Sequence, residues 1–435
     1  MSVDQEHFTH YNDYPTNTGG FSDKHLSSRK FINTFLGFAE IYKGGHTFLS
    51  LFDEDENSVH WKDWEVESWL LHSGLSMGKI DLFLLLEMIK ALPLSFCSVK
   101  ELQSQVEQLP SGPQWMLKVI ETSYPTKSPM ILYWHNPVEC IASILNDPSF
   151  QDHFHFTPHK VYATAEWNCC IYSEWMTSDD AWNMQSTLPN GATLLGTILS
   201  SDKTTISTLT GNRVVHPLLI SLANISMKTH AKMTSNSFLL TALLLVPKFI
   251  HKNKHMRGIL EDHLIHQCLD IILKLLKQAA HVGIMMSDPA GNNWHCYTGL
   301  VSYIADTLEV MMLSTVGGKT SPLTVAMFKQ FGDLFHYEPH TKSLTLTQLK
   351  VVCSHADPVN LEVFFHEAQK FWLNGVIKPF WNNWILAEPS HFFTPEMLHH
   401  FHQEFYDHDV RWLINTVGEL EIDFCFSVLP HVTGF

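Results

Sequence analysis

The sequence contains few cysteines, and none has the spacing of a structural motif. There are 8 in 435 residues, no pair forms a CxxC motif, and Cys169 and Cys170 are adjacent. A disulfide scaffold needs a much higher cysteine density, and a zinc finger or ribbon needs closely paired ligands. Both classes are therefore excluded, and the sequence predicts reduced thiols in an intracellular protein.

Long apolar runs are missing as well. The longest, Phe238 to Val246, is bounded by Pro247 and is far shorter than the ~20 residues with which a helix crosses a bilayer. Residues 1–30 are polar and lack the apolar stretch of a signal peptide. These features predict a protein that is neither secreted nor bound to a membrane, and that lies in the nucleus or the cytoplasm.

Basic residues are scarce relative to acidic ones. Lys and Arg total 28 against 44 Asp and Glu, which gives a net charge of −16 and argues against a nucleic-acid binder with a wholly basic surface. One densely basic segment stands out, and it carries Lys248, Lys252, Lys254 and Arg257. This basic segment is either a local site for phosphate groups or an ordinary solvated surface.

Apolar and aromatic side chains, in contrast, are abundant. Hydrophobic residues make up 45% of the chain, aromatic residues 12% and charged residues only 17%. A disordered chain shows the opposite balance. We therefore expect a folded protein with a sizeable core, and the length allows about two to four domains.

The apolar pattern divides the chain into three regions. Residues 1–30 are predicted to be a disordered arm, 31–154 a mainly helical region, and 155–435 a mixed core with a loop-rich insertion at about 317–390. The core contains three strand-like runs, a long amphipathic helix and another strand, near 193–202, 214–225, 238–246, 258–280 and 294–305. That order is typical of an RNase H-like core. The predicted fold class is α/β (α+β), an RNase H-like mixed sheet with flanking helices.

Two aspartates directly follow predicted core strands. Asp202 comes after the apolar run Leu194 to Leu199, and Asp306 comes 104 residues later, after Val301 to Ala305. Carboxylates at strand ends of one sheet can converge on the metal ions of a phosphoryl-transfer site, which lie about 3.5–4 Å apart. The sequence therefore predicts that Asp202 and Asp306 are catalytic metal ligands.

Simpler interpretations exist for these positions. Asp202 and Thr204 together are typical of a turn. Asp288 competes with Asp306 for the second position because it also follows a strand-like run, but Asp288-Pro289 is itself a common turn pair.

A third candidate acid lies on a predicted helix near the end of the sequence. Thr394 and Pro395 provide an N-cap and a first helical residue. Glu396, His400 and Glu404 then recur every four residues, so they share one face of the helix. This face is either a metal site, as in a metal-dependent hydrolase, or a solvated polar surface. A zinc protease is excluded because HExxH does not occur.

Ten stretches, in this order, resemble the Plavaka-type transposases of the Kyakuja–Dileera–Zisupton superfamily over about residues 40–435. They are Trp69-Leu-Leu-His-Ser-Gly-Leu-Ser76, Tyr172-Ser-Glu-Trp-Met176, Asp180-Ala-Trp-Asn-Met-Gln185, Ile198-Leu-Ser-Ser-Asp-Lys-Thr204, His216-Pro-Leu-Leu-Ile-Ser-Leu-Ala-Asn224, Tyr303-Ile-Ala-Asp306, Lys319-Thr-Ser-Pro322, Leu373-Asn-Gly-Val376, Thr394-Pro-Glu-Met-Leu-His-His400 and Asp407-His-Asp409.

The resemblance implies a DDE-type transposase that cuts and joins DNA with Mg²⁺ or Mn²⁺. Asp202 and Asp306 match the first and second acids of that family. Glu396 fits the third, or the third acid lies past the position matching Phe435, as in longer family members. The family's Cys-rich N-terminal segment is missing, and Leu308 replaces a proline that usually follows the second acid.

These departures are typical of a fragment or a degenerate copy of a mobile-element protein. The alternative function is a catalytically dead module that binds DNA or protein, and oligomer formation remains open. We expect the 435-residue chain alone to be a poor nuclease.

Overall fold

The computed structural model describes residues 30–42, 64–106, 112–163, 166, 169–207, 213–394 and 405–429. The predicted disordered arm lies almost entirely outside these ranges. The strands are β1 (Phe31–Thr34), β2 (Ile41–Tyr42), β3 (Trp115–Val119), β4 (Ile131–His135), β5 (His159–Tyr162), β6 (Cys170–Ile171), β7 (Thr193–Ser201), β8 (Thr204–Ser207), β9 (Arg213–Leu222), β10 (Leu239–Leu244), β11 (Ile284–Ser287) and β12 (Asn293–Ile304).

The α-helices are α1 (Trp64–His72), α2 (Met77–Leu84), α3 (Glu87–Lys90), α4 (Val99–Val106), α5 (Pro137–Leu145), α6 (Asp179–Ser186), α7 (Met227–His230), α8 (Lys254–Ile272), α9 (Lys274–Val282), α10 (Thr307–Leu313), α11 (Lys342–His355), α12 (Leu361–Gln369), α13 (Pro389–Phe392), α14 (Arg411–Val417) and α15 (Glu419–Ser427). Within the described ranges, no helix is long and apolar enough to cross a membrane.

One nine-stranded sheet organises the fold. Its order is β11-β12-β7-β9-β10-β4-β3, with β2 paired to β12 and β8 paired to β9. Strand β12 runs parallel to β7, whereas β9 is antiparallel to both β7 and β10. The prediction that the three successive core strands and the later strand share one sheet is confirmed, and the mixed α+β fold with it.

The sheet also includes β3 and β4, which come before residue 155 in the chain. A second, three-stranded sheet has the order β1-β5-β6. Both sheets therefore combine strands from the two sides of residue 155.

Helices cover the large sheet and bury its apolar side chains. Side chains of α5, α8 and α9 join those of β7, β9 and β12 in the main hydrophobic core. Each large apolar side chain that is fully buried contributes about 1.5–3 kcal/mol. Helix α5 begins at Pro137, because Asn136 accepts the Val138 N–H at 3.0 Å and Pro137 occupies the first turn.

The long predicted helix is divided in two. Helix α8 ends at Ile272 and α9 begins at Lys274, with the buried Leu273 between them. Periodicity did not reveal this break, because Leu273 is as apolar as its helical neighbours.

The predicted insertion at 317–390 contains two helices, α11 and α12, that pack on each other around the buried Phe364. Its last part belongs to the main core. The indole N–H of Trp381 donates to the carbonyl of Leu313 at 2.9 Å, and that of Trp384 donates to the carbonyl of Thr298 at 3.0 Å. Both indoles are fully buried, so this stretch supports β12 and α10 directly.

Candidate active site

The first two predicted acids lie at corresponding positions just past the end of the β7–β12 ladder. Strands β7 and β12 are parallel, and their last paired residues are Ser200 and Ile304. Asp202 and Asp306 each lie two residues beyond that pair. Neighbouring strands are about 4.8 Å apart, so the two acids emerge next to each other at the carboxyl edge of the sheet.

Each of these acids has a local hydrogen bond. Asp202 accepts the hydroxyl of Thr204 at 3.2 Å, and Asp306 caps α10 by accepting the Glu309 N–H at 2.7 Å. Each bond uses one carboxylate oxygen, and both residues are exposed. The turn predicted for Asp202 is not formed, because β7 and β8 on either side of it pair with β9 in one register, Ser201 with Leu218 and Thr204 with Val215. The bond to Thr204 still leaves the Asp202 carboxylate accessible.

Glu309 turns from the first turn of α10 back towards the strand ends. Its Oε1 accepts the hydroxyl of Ser201 at 2.5 Å and lies 2.9 Å from Nε2 of His216. The Glu309 side chain is only 9% exposed and that of His216 only 3%. A buried carboxylate is thus compensated by two partners, one of which directly precedes Asp202.

Tyr303 completes this buried network on β12. Its hydroxyl lies 3.0 Å from the Ser201 hydroxyl. Burial, and then the negative charge of Glu309, raise the pKa of Tyr303 well above its usual value near 10. The phenol therefore stays protonated near neutral pH and can donate a hydrogen bond. We refer to Ser201, His216, Tyr303 and Glu309 as the edge network.

All four members of the basic segment are exposed, and the segment ends beside the candidate site. Lys248 and Lys252 precede α8, while Lys254 and Arg257 lie in its first turns. One turn further along α8, Glu261 forms an ion pair with Lys203, with 2.8 Å between Oε1 and Nζ. Lys203 is the residue after Asp202. Helix α8 therefore connects the basic segment to the edge that carries the acids.

Asp288 is a turn residue, as the alternative interpretation predicted. It is buried, and it accepts the Asn292 N–H at 2.9 Å and the indole N–H of Trp294 at 3.0 Å. It precedes β12, so it lies at the opposite end of that strand from Asp306. These bonds use its carboxylate to close the β11–β12 hairpin.

The third predicted acid, Glu396, lies outside the described residues, as do His400 and Glu404. Among the residues that are described, no group of three or more His, Cys, Asp or Glu side chains has the arrangement of a metal site. The candidate site thus consists of Asp202 and Asp306, with the edge network behind them.

Comparison with known proteins identifies the family of this chain. Residues 96–413 match the profile of the Plavaka transposase family. This chain belongs to that family. A search of curated proteins found no match.

The Plavaka match contains both strand-end acids, the edge network and the basic segment. The sequence pattern of this Plavaka chain predicted Asp202 and Asp306 as candidate acids, but it did not predict the contact between Glu309 and His216. One signal was available, because Asp306 and Glu309 have the spacing of a capping box, in which an N-cap residue is followed three positions later by Glu.

Proposed function

We propose that this Plavaka-family chain carries a transposase active site, in which Asp202 and Asp306 bind divalent metal ions for cleavage and transfer of DNA strands. The observation that carries the proposal is the parallel pairing of β7 and β12, which brings two acids far apart in sequence to one edge of one sheet. Family membership supports the same assignment.

The residues at this edge suit Mg²⁺ or Mn²⁺. Both ions prefer oxygen ligands, and carboxylates at an exposed edge leave room for water and for substrate phosphate. When bound, such ions activate the attacking oxygen and stabilise the leaving one. Asp202 and Asp306 would hold them, and Glu396 is the candidate for the third carboxylate.

The basic segment gives DNA a route to this edge. A chain with a net charge of −16 repels DNA except where cations cluster. Four exposed cations lie on or just before the start of α8, and α8 contacts the acidic edge through Glu261 and Lys203. We place the DNA backbone along this segment, with the scissile phosphate at Asp202 and Asp306.

Nicking of supercoiled DNA with Mg²⁺ or Mn²⁺ tests the proposal. Asp202→Asn and Asp306→Asn should each reduce any cleavage by at least about a hundredfold, since loss of one ligand disables the metal site. Asp152→Asn is the matched control. This exposed acid lies near the end of β9 opposite the candidate site, next to His153, whose carbonyl accepts the Ser226 N–H at 2.7 Å.

The outcomes separate the two candidate functions. Metal-dependent nicking that disappears in both variants but persists in Asp152→Asn supports the transposase site, and its loss in Glu396→Gln would assign the third acid. Salt-sensitive DNA binding without any cleavage would instead favour the inactive DNA-binding module. Cleavage that survives Asp202→Asn would refute the assignment of that residue.

A further inference from the structure

We propose that Glu309 is a positioning residue that fixes the relative placement of Asp202 and Asp306. This inference rests on the proposed function and concerns how the two acids are held relative to each other. Backbone pairing between β7 and β12 ends at Ser200 and Ile304. The β7–β12 ladder therefore does not itself fix the two acids relative to each other, although β9 pairs with Ser201 and Thr204 on either side of Asp202.

Glu309 contacts Asp306 on one side and Ser201, the neighbour of Asp202, on the other. Its backbone N–H is bound by the carboxylate of Asp306 at 2.7 Å, and its side chain accepts the hydroxyl of Ser201 at 2.5 Å. Ser201 immediately precedes Asp202. One residue thus links the start of α10 to the end of β7, which are the two elements that carry the acids.

The geometry favours positioning over direct metal binding. Oε1 of Glu309 is already shared between Ser201 and His216, and the side chain is 9% exposed, whereas Asp202 and Asp306 are exposed. A charge-assisted bond to a buried carboxylate is shorter and stronger than a neutral one, so it restrains its partners well.

One buried atom of the edge network has no hydrogen-bond partner among the described residues. Nδ1 of His216 is buried and has no hydrogen-bond partner within the described residues. A buried, unsatisfied polar atom is costly, and an apolar residue would avoid that cost. The contact that His216 does make is the one to Glu309, at 2.9 Å.

The test combines Mn²⁺ binding with Mn²⁺-dependent nicking by the full chain. Mn²⁺ binding is followed by the loss of the free-ion electron paramagnetic resonance signal. Glu309→Ala should weaken Mn²⁺ binding and raise the half-saturating Mn²⁺ concentration for nicking, each by about 10–100-fold, the usual range for residues that orient metal ligands. Glu309→Gln keeps the Oε1 acceptor and should recover part of both losses.

A matched variant separates positioning from general destabilisation. Phe364→Leu alters the separate cluster between α11 and α12, so it should lower the melting temperature and leave Mn²⁺ affinity unchanged. Ser201→Ala should weaken Mn²⁺ binding in the same direction as Glu309→Ala, because it removes the link next to Asp202.

The inference and the proposed function can fail separately. If the wild-type chain binds Mn²⁺ and Glu309→Ala binds it equally well, the positioning role is wrong and the metal site stands. If the wild-type chain binds Mn²⁺ without nicking, and Glu309→Ala binds it more weakly, the positioning role is supported and active cleavage is not. A wild-type chain that neither binds Mn²⁺ nor nicks DNA overturns both.

Discussion

Lys277 and Lys378 bind the same carboxylate from very different surroundings. Lys277 donates to Oδ1 of Asp270 at 2.5 Å and to the carbonyl of Phe380, and its side chain is 4% exposed. Lys378 reaches Oδ2 of Asp270 at 3.0 Å with a side chain that is 60% exposed. The two lysines therefore offer a matched comparison of a buried and a surface cation.

Replacing each lysine with alanine should give unequal losses of stability. Lys277→Ala leaves a polar carbonyl and a half-buried carboxylate without their cation, so the free energy of unfolding should fall by about 3 kcal/mol. Lys378→Ala should cost about 0–1 kcal/mol, because solvent already screens its charge. Urea denaturation measures the free energy of unfolding of both variants. Equal losses would show that burial of Lys277 does not strengthen its ion pair with Asp270.

Asp262 makes stability depend on pH. Burial, and then the nearby charge of Glu261, raise its pKa from 3.8 to about 7. Between about pH 4 and pH 7 the folded chain therefore keeps a proton that the unfolded chain has released. The contribution of Asp262 to stability is greatest at low pH and is lost as pH rises through this window.

Asp262→Asn should remove this dependence. Asparagine keeps an oxygen that can accept the amide of Asn374, which lies 3.3 Å from Oδ2 of Asp262, but it cannot ionise. Relative to wild type, the variant should gain on the order of 1–3 kcal/mol in unfolding free energy between about pH 4.5 and about pH 7.5. Thermal melts at both pH values measure the difference. Parallel curves for the two proteins would show that Asp262 titrates normally.

The sequence predicted the positions of Asp202 and Asp306 relative to the strands, but not the contact between Glu309 and His216. Asp202 and Asp306 follow apolar runs directly, so the strand pattern alone brings them to a sheet edge. Glu309 and His216 lie 93 residues apart, and their contact depends on how α10 packs against β9. No local pattern encodes that packing.

Among the structural elements, β7 is constrained by the indole of Trp175. A Cβ added at Gly196 would lie 2.7 Å from Cζ3 of that ring, whereas one at Gly258 on the exposed side of α8 would meet nothing within 4 Å. Gly196→Ala should destabilise the fold by about 1–3 kcal/mol through overpacking. Gly258→Ala should stabilise it by about 0.5–1 kcal/mol through helix propensity. Melting temperatures that shift in the same direction would contradict this account.

The basic segment should determine how DNA affinity responds to salt. Each phosphate contact contributes about 0.9 to the slope of log affinity against log salt on duplex DNA. Changing Lys248, Lys252, Lys254 and Arg257 together to glutamine should flatten that slope. Fluorescence anisotropy at several salt concentrations measures it.

A second quadruple variant controls for net charge. It changes four exposed lysines elsewhere to glutamine, namely Lys79, Lys90, Lys100 and Lys118. This variant loses the same charge and should keep the wild-type slope. Equal slopes for the two quadruple variants would assign the basic segment to ordinary surface.

Elements with continuous apolar runs were predicted well, but one helix with a mixed pattern was missed. Strands β7, β9, β10 and β12 each coincide with a predicted run to within a few residues. Helix α11 was missed because Thr345, Thr347 and two adjacent valines favour strand as much as helix. Its packing against α12 around Phe364 outweighs that local preference.

The last described segment, residues 405–429, exposes many apolar side chains. Residues 405–429 contact one another as a turn and two helices, and among them Ile422 alone is buried. The exposed members include Trp412, Leu420 and Phe424. Exposed apolar clusters of this kind promote association.

Changing Leu420 and Phe424 to serine should weaken self-association of the chain. These residues are 87% and 61% exposed and lie one turn apart on α15, so their replacement removes a continuous apolar strip. Sedimentation velocity over a dilution series should show less concentration-dependent mass in the double variant. Leu334→Ser with Val359→Ser, two highly exposed apolar residues elsewhere, is the control, and an equal effect from it would deny this strip a special role.

The extent of the large sheet could not be predicted from local pattern. Strands β3 and β4 precede the core in sequence, yet they extend the sheet beyond β10. Strand β4 pairs with β10, so that Trp134 lies opposite Ala242, 108 residues later in the chain. A sequence pattern predicts that a strand exists but not which distant edge it joins.

The parallel pairing of β7 with β12 also has a consequence for the time at which the edge comes into existence. Asp306 follows Asp202 by 104 residues, and a ribosome adds about 5–20 residues each second. A nascent chain therefore holds the first acid for about 5–20 s before the second has been made. During that interval β7 can pair only with its antiparallel neighbour β9, and the two carboxylates cannot yet come together. The two acids can therefore come together only after Asp306 has been synthesised, and the length of the connection between them sets this delay.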